Sequence, residues 1–135
     1  MPTTVLDSFA LIACFRGEAA GVPVKEVLQK ASKADKPVHM AEVNYAEVKY
    51  MIPRKDGGNP WAAAAKTLVA LPIEFHPADR DLADLAAEFK SRFSFSLPYA
   101  FAAALVRQHK AELLTGDPEF KVVEKEMKIT WLPQR

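Results

Sequence analysis

A chain of 135 residues, half of them apolar and 26% charged, is long enough for one domain with a core of its own. Its formal net charge of +1 excludes nucleic-acid binding through overall charge, so any such contact must come from local patches. The single cysteine, Cys14, excludes an internal disulfide framework and, set in an apolar run, reads as a buried thiol in a reducing compartment. No stretch approaches the roughly 20 apolar residues that span a bilayer. Asp7 interrupts the start of the chain where a signal peptide needs an apolar core, so no membrane contact and a cytoplasmic location are expected.

Thr3 to Leu6, β-branched and apolar, reads as a short strand ending at Asp7. Asp7 and Ser8 lead into a helix that Phe9, Leu11, Ile12, Ala13 and Phe15 make apolar around most of its circumference, as in a helix buried beside a sheet. Gly17 and Gly21 are expected to stop it. After Pro23, the spacing of Val24, Val27, Leu28 and Ala31 predicts an amphipathic helix. Val38 to Ala41 follows as a second strand, then a helix to about Arg54 whose face is assigned to Val43, Ala46, Tyr50 and Met51. Glu47 falls within that face. An unpaired carboxylate there is costly, so it needs a cation, a metal or access to water, and a salt bridge to Arg54 meets the requirement as well as a functional role does. Asp56 to Asn59 break the helix, and Trp61, Ala64, Ala65 and Leu68 begin another after Pro60.

Pro72 cannot donate to a ladder, which places a short or edge strand at Ile73 to Phe75. His76 and Pro77 read as a loop or cap before a helix with acids in its first turns and Leu82, Leu85, Ala86 and Phe89 on its buried face. No second His or nucleophile lies at a recognisable spacing, so His39, His76 and His109 are assigned no chemistry. Ser96 is the expected N-cap of the next helix, with Leu97, Ala100, Phe101, Ala104 and Leu105 as its stripe. Tyr99 then occupies the third helical position, where the helix dipole favours an acid. A strand from Glu112 to Thr115 runs into Gly116, Asp117 and Pro118. Asp117 suits two roles: an N-cap before proline, or a carboxylate delivered by a strand to its carboxyl end. A helix through Lys125 and a last strand from Ile129 to Leu132 complete a single domain over residues 1–135.

Strands alternating with amphipathic helices imply an α/β fold, a mainly parallel sheet covered on both faces. In that architecture Asp7 and Asp117 end strands, Glu47 projects from the inner face of a helix, and the three carboxylates can converge. Hard oxygen ligands without a Cys or His cluster suit Mg²⁺ or Mn²⁺ better than zinc, and such ions promote in-line attack on phosphodiesters. The chain has no Walker-type or dinucleotide-binding glycine motif, which argues against nucleotide hydrolysis and hydride transfer.

Three segments, VLDSFALIACF, NYAEVKY and SLPYAFAAALVRQHKAELLTGDPEF, in this order and spacing, resemble a PIN domain of the VapC toxin type across nearly the whole chain. The resemblance implies a three-layer α/β/α sandwich and a Mg²⁺- or Mn²⁺-dependent endoribonuclease that cleaves an RNA substrate, forms a homodimer and is held inactive by a cognate antitoxin. By resemblance Asp7 matches the first acid, Glu47 the second and Asp117 the last, while Ser8 and Thr115 match the polar residues that support the metal site.

One position departs from that pattern: the family usually carries an Asp where Tyr99 stands, and no acid lies between Phe95 and Ala111 to replace it. A phenol offers no anionic oxygen at neutral pH. The expectation is an attenuated ribonuclease, natural or detoxified during cloning, with Lys49, Arg54 and Lys55 as candidate phosphate contacts. The competing expectation is a non-catalytic PIN module that binds an antitoxin or RNA. A receiver-like phosphoacceptor domain is a weaker third, lacking a downstream Lys in matching position.

Overall fold

The computed structural model describes residues 3–134. Five strands, β1 (Thr4–Leu6), β2 (Val38–Ala41), β3 (Ile73–His76), β4 (Glu112–Thr115) and β5 (Ile129–Trp131), pair in parallel in the spatial order β3, β2, β1, β4, β5. The helices are α1 (Ser8–Phe15), α2 (Gly21–Ala34), α3 (Glu42–Asp56), α4 (Gly58–Leu68), α5 (Arg80–Arg92) and α6 (Leu97–His109), with a 3₁₀ segment at Pro118–Val123. Because successive strand residues face opposite ways, Val5 and Leu113 enter the core beneath α5 and α6, whereas Leu6 and Leu114 enter the one beneath α1 and α2. The result is the expected three-layer α/β/α sandwich.

The strand order positions the site. From central β1 the chain builds β2 and β3 on one side and then crosses to β4 and β5 on the other. A parallel sheet that reverses direction this way leaves a crevice beyond the carboxyl ends of the two strands at the switch, here β1 and β4. Asp7 directly follows β1, and Asp117 lies two residues beyond β4.

Several local expectations need correction. Gly21 does not stop a helix; it opens α2, because a Cβ there would lie 2.4 Å from the Ala13 carbonyl oxygen, and only glycine lets α2 start this close to α1. In α3 the buried residues are Asn44, Val48 and Ile52, spaced i, i+4, i+8, whereas Ala46 and Tyr50 are exposed. The polar Asn44 conceals this stripe in the sequence; it is buried because its amide donates to the Pro98 carbonyl at 2.9 Å and ties α3 to the start of α6. The segment after Asp117 winds as a 3₁₀ helix, and His76 is the last residue of β3 rather than a loop or cap. Strand β3 is an edge strand, as Pro72 requires.

Candidate active site

Asp7 is the N-cap of α1 and has no solvent exposure. Its Oδ1 accepts the Ala10 N–H at 2.9 Å, and its Oδ2 accepts the Thr115 hydroxyl, so strand ends β1 and β4 share one hydrogen bond. Thr115, also fully buried, accepts the Asp117 N–H at 3.0 Å on the same oxygen. One hydroxyl therefore links the Asp7 carboxylate to the backbone of Asp117. Asp117 in turn caps the 3₁₀ segment, accepting the Glu119 N–H at 3.0 Å; the capping and site-forming roles coincide in one side chain. Gly116 between them has no room for a side chain, since a Cβ there would fall 2.4 Å from the Phe9 ring.

Glu47 reaches the crevice from α3. Its Oε1 accepts the Ser8 hydroxyl at 3.0 Å, and Arg54 is not its partner; that guanidinium lies over the Tyr50 ring at 6.0 Å instead. The Asn44 amide also favours the Glu47 carboxylate. Asn44 is thus the one residue of this region absent from the sequence-derived set, and its Oδ1 is buried with no hydrogen-bond partner. A polar residue at a core position of a helix is the signal that marks it.

The electrostatics follow from this crowding. Burial pushes the Asp7 carboxyl up to about 7, against the Thr115 and Ala10 hydrogen bonds that pull it down, with the charges of Asp117 and Glu47 adding to the rise. Burial likewise raises Glu47, and the Asp117 charge contributes. None of the ion pairs among the described residues includes Asp7, Glu47 or Asp117. Asp7, Glu47 and Asp117 thus bring oxygen donors and mutual repulsion to one crevice without a basic partner, although among the described residues only His39, His76 and His109 hold their ligand atoms within 4.8 Å of one another.

Tyr99 sits at the same crevice on the first turn of α6, with its ring 4.9 Å from that of Phe120. Its hydroxyl donates to Asp117 Oδ2. Burial, and then the hydrogen bond and charge of Asp117, hold the phenol protonated far above its ordinary range. The side chain therefore brings a proton, not a charge, and both Asp117 oxygens accept a hydrogen bond from the protein.

A PIN domain family model matches residues 4–126. The fold is similar to that of VapBC2 from Rickettsia felis bound to a DNA fragment from its promoter, with a TM-score of 0.72, 12% identity, and 97% of this chain and 99% of that chain covered. DNA-bound VapBC from Salmonella typhimurium gives a TM-score of 0.74 at 11% identity over 96% of this chain and 98% of that one. A sarcin-ricin loop cleaving toxin from Mycobacterium tuberculosis, VapC20, gives 0.61 at 19% identity over 82% and 87%. At these identities the likeness is one of fold. No match to the sequence is found among curated proteins.

Proposed function

Because the chain belongs to the PIN domain family, we propose that it is a VapC-type endoribonuclease, attenuated by Tyr99, with Asp7, Glu47 and Asp117 as the ligands of Mg²⁺ or Mn²⁺. The observation that carries this reading is the gathering of three carboxylates without a basic partner, one of them buried and raised to about 7. Folding such a cluster is unfavourable for a purely structural protein and reasonable for one that binds a cation. When bound, the ion would activate a water and stabilise charge developing on the RNA phosphodiester.

The chain's own residues supply orientation. Thr115 and the Ala10 N–H lock the Asp7 carboxylate, Ser8 holds Glu47, and the Thr115 hydroxyl fixes the backbone of Asp117. Tyr99 withdraws negative charge from this set, because a neutral phenol replaces the remaining acid of the family pattern and occupies a lone pair of Asp117. Weak metal affinity and slow cleavage follow. The same hydrogen bond favours the second reading, a module that has lost catalysis and keeps only its binding to an antitoxin or RNA.

The partners proposed are a cognate antitoxin and a second copy of the chain, in the cytoplasm. Val22 on α2 and Tyr50 on α3, exposed by 57% and 48%, support a covering partner on those helices. The test of catalysis compares the parent, Tyr99→Asp and Asp7→Asn for Mn²⁺ binding by calorimetry and for RNA cleavage. Tyr99→Asp should bind Mn²⁺ more tightly and cleave faster, and Asp7→Asn should do neither. If the parent cleaves as fast as Tyr99→Asp while Asp7→Asn abolishes activity, Tyr99 is no lesion. If Tyr99→Asp binds Mn²⁺ but leaves RNA intact, the binding module is the better account.

A further inference from the structure

Away from the carboxylates, three imidazoles from separate elements meet at the edge of the sheet. His39 lies on β2, His76 ends edge strand β3 and His109 is the last residue of α6. One ring nitrogen of each lies within 4.8 Å of those of the other two. His39 Nδ1 and His76 Nε2 stand 2.7 Å apart, and the His109 ring stacks on that of His39 with centroids 4.4 Å apart. The Glu74 carboxylate lies 3.5 Å from the same His39 Nδ1.

We propose that His39, His76 and His109, with Glu74 beside His39, form a binding site for a borderline transition-metal ion, Zn²⁺ foremost, separate from the carboxylate crevice. Three observations support it. The donor set is imidazole-rich, which selects zinc-like ions over the Mg²⁺ or Mn²⁺ that suit the all-oxygen crevice. His109 Nε2 is buried without a hydrogen-bond partner, although imidazole nitrogens in the interior are ordinarily satisfied. The cluster also adjoins the carboxyl end of α6, where the helix dipole favours a cation.

Geometry and protonation permit the ion. Two nitrogens on a tetrahedral zinc at about 2.0–2.1 Å are roughly 3.3 Å apart, so His39 and His76 need to separate by only about half an ångström from their present 2.7 Å. Burial, helped by the neighbouring imidazoles, lowers the proton affinity of His39 and His109, leaving them in the neutral form that binds metal. The three imidazoles come from β2, β3 and α6, so an ion held between them clamps α6 to edge strand β3, where the sheet has no further neighbour.

The test titrates metal-stripped protein with ZnCl₂ by calorimetry and with CoCl₂ by visible absorption, and follows histidine ring resonances by NMR. One Zn²⁺ per chain, Co²⁺ bands of a four-coordinate nitrogen-rich site, and movement of all three His rings are expected. His109→Ala and His39→Gln should each weaken Zn²⁺ binding by at least about 100-fold, the upper end of what outer partners alone cost, and Glu74→Gln by roughly 10-fold. Asp7→Asn should leave Zn²⁺ affinity unchanged. Zn²⁺ binding that survives both His variants but disappears in Asp7→Asn overturns the proposal, as does no binding at all. If the His variants do not fold, the parent decides the matter: His rings unmoved by Zn²⁺ refute the site.

Discussion

Asp7→Asn should stabilise the metal-free protein at high pH and not at low pH, since the carboxylate that serves metal binding works against folding. The folded chain keeps the Asp7 proton between 3.8 and about 7, where the unfolded chain has released it, so stability is greatest below 3.8 and falls as pH rises through 7. At about 1.4 kcal/mol per pH unit, the rise from 3.8 to about 7 costs about 4 kcal/mol once both states are ionised. Asparagine removes that cost and keeps the α1 cap, because its carbonyl can still accept the Ala10 N–H. Its amide cannot accept the Thr115 hydroxyl, and a mispaired buried group returns about 1–3 kcal/mol. The net expectation is a gain of about 1–3 kcal/mol near pH 8.5 that vanishes or reverses near pH 4. Urea unfolding of parent and variant in EDTA at both pH values measures the difference, and comparing the two proteins cancels the other carboxylates. Mn²⁺ at 100 times its Kd should cancel or invert the order, since it adds about 2.7 kcal/mol to the parent alone. A variant less stable than the parent near pH 8.5 in EDTA, or a difference that ignores pH, refutes the reasoning.

Thr115→Val keeps the volume of a fully buried residue but deprives Asp7 of a donor and the Asp117 N–H of its acceptor, so Mn²⁺ affinity measured by calorimetry should fall about 10–100-fold. Gly21→Ala forces a methyl into the α1 backbone and should lower stability by about 1–3 kcal/mol in urea unfolding, whereas Gly17→Ala meets no atom within 4 Å and suffers only from its positive φ of 66°. Burial raises the Cys14 thiol, so the thiolate is scarce at neutral pH and labelling by a thiol reagent should be slow in buffer and accelerate through the unfolding transition. Equal labelling rates in buffer and denaturant count against that burial. Tyr99→Phe removes the donor to Asp117 without adding charge, so it should recover less Mn²⁺ affinity than Tyr99→Asp; equal recovery would assign the defect to the hydrogen bond instead of the missing charge.

Much of the fold, and the strand ends that carry Asp7 and Asp117, was legible in the chain because the signals are local. A β-branched run ending at Asp7, an apolar run ending in Thr115, Gly116 and Asp117, and Ser96 before a helical stripe each write an element boundary within a few residues. Alternating strands and helices restrict the layers to a parallel sheet covered on both faces, with its crevice at the carboxyl ends. Tyr99 could be singled out because the resemblance to the family puts an Asp at that position, in a first helical turn where the dipole favours an acid. Long-range docking decided the remainder. The buried stripe of α3 runs through Asn44, which looks misplaced until the Pro98 carbonyl 54 residues away arrives to satisfy it. His39 and His76 meet only because β2 and β3 pair with His39 opposite Glu74 and Ala41 opposite His76, which puts both imidazoles on one face two residues apart in register. His109 joins them only because α6 ends over that edge. No periodicity within any one segment encodes the coincidence of three elements, so the histidine cluster belongs to the tertiary structure alone.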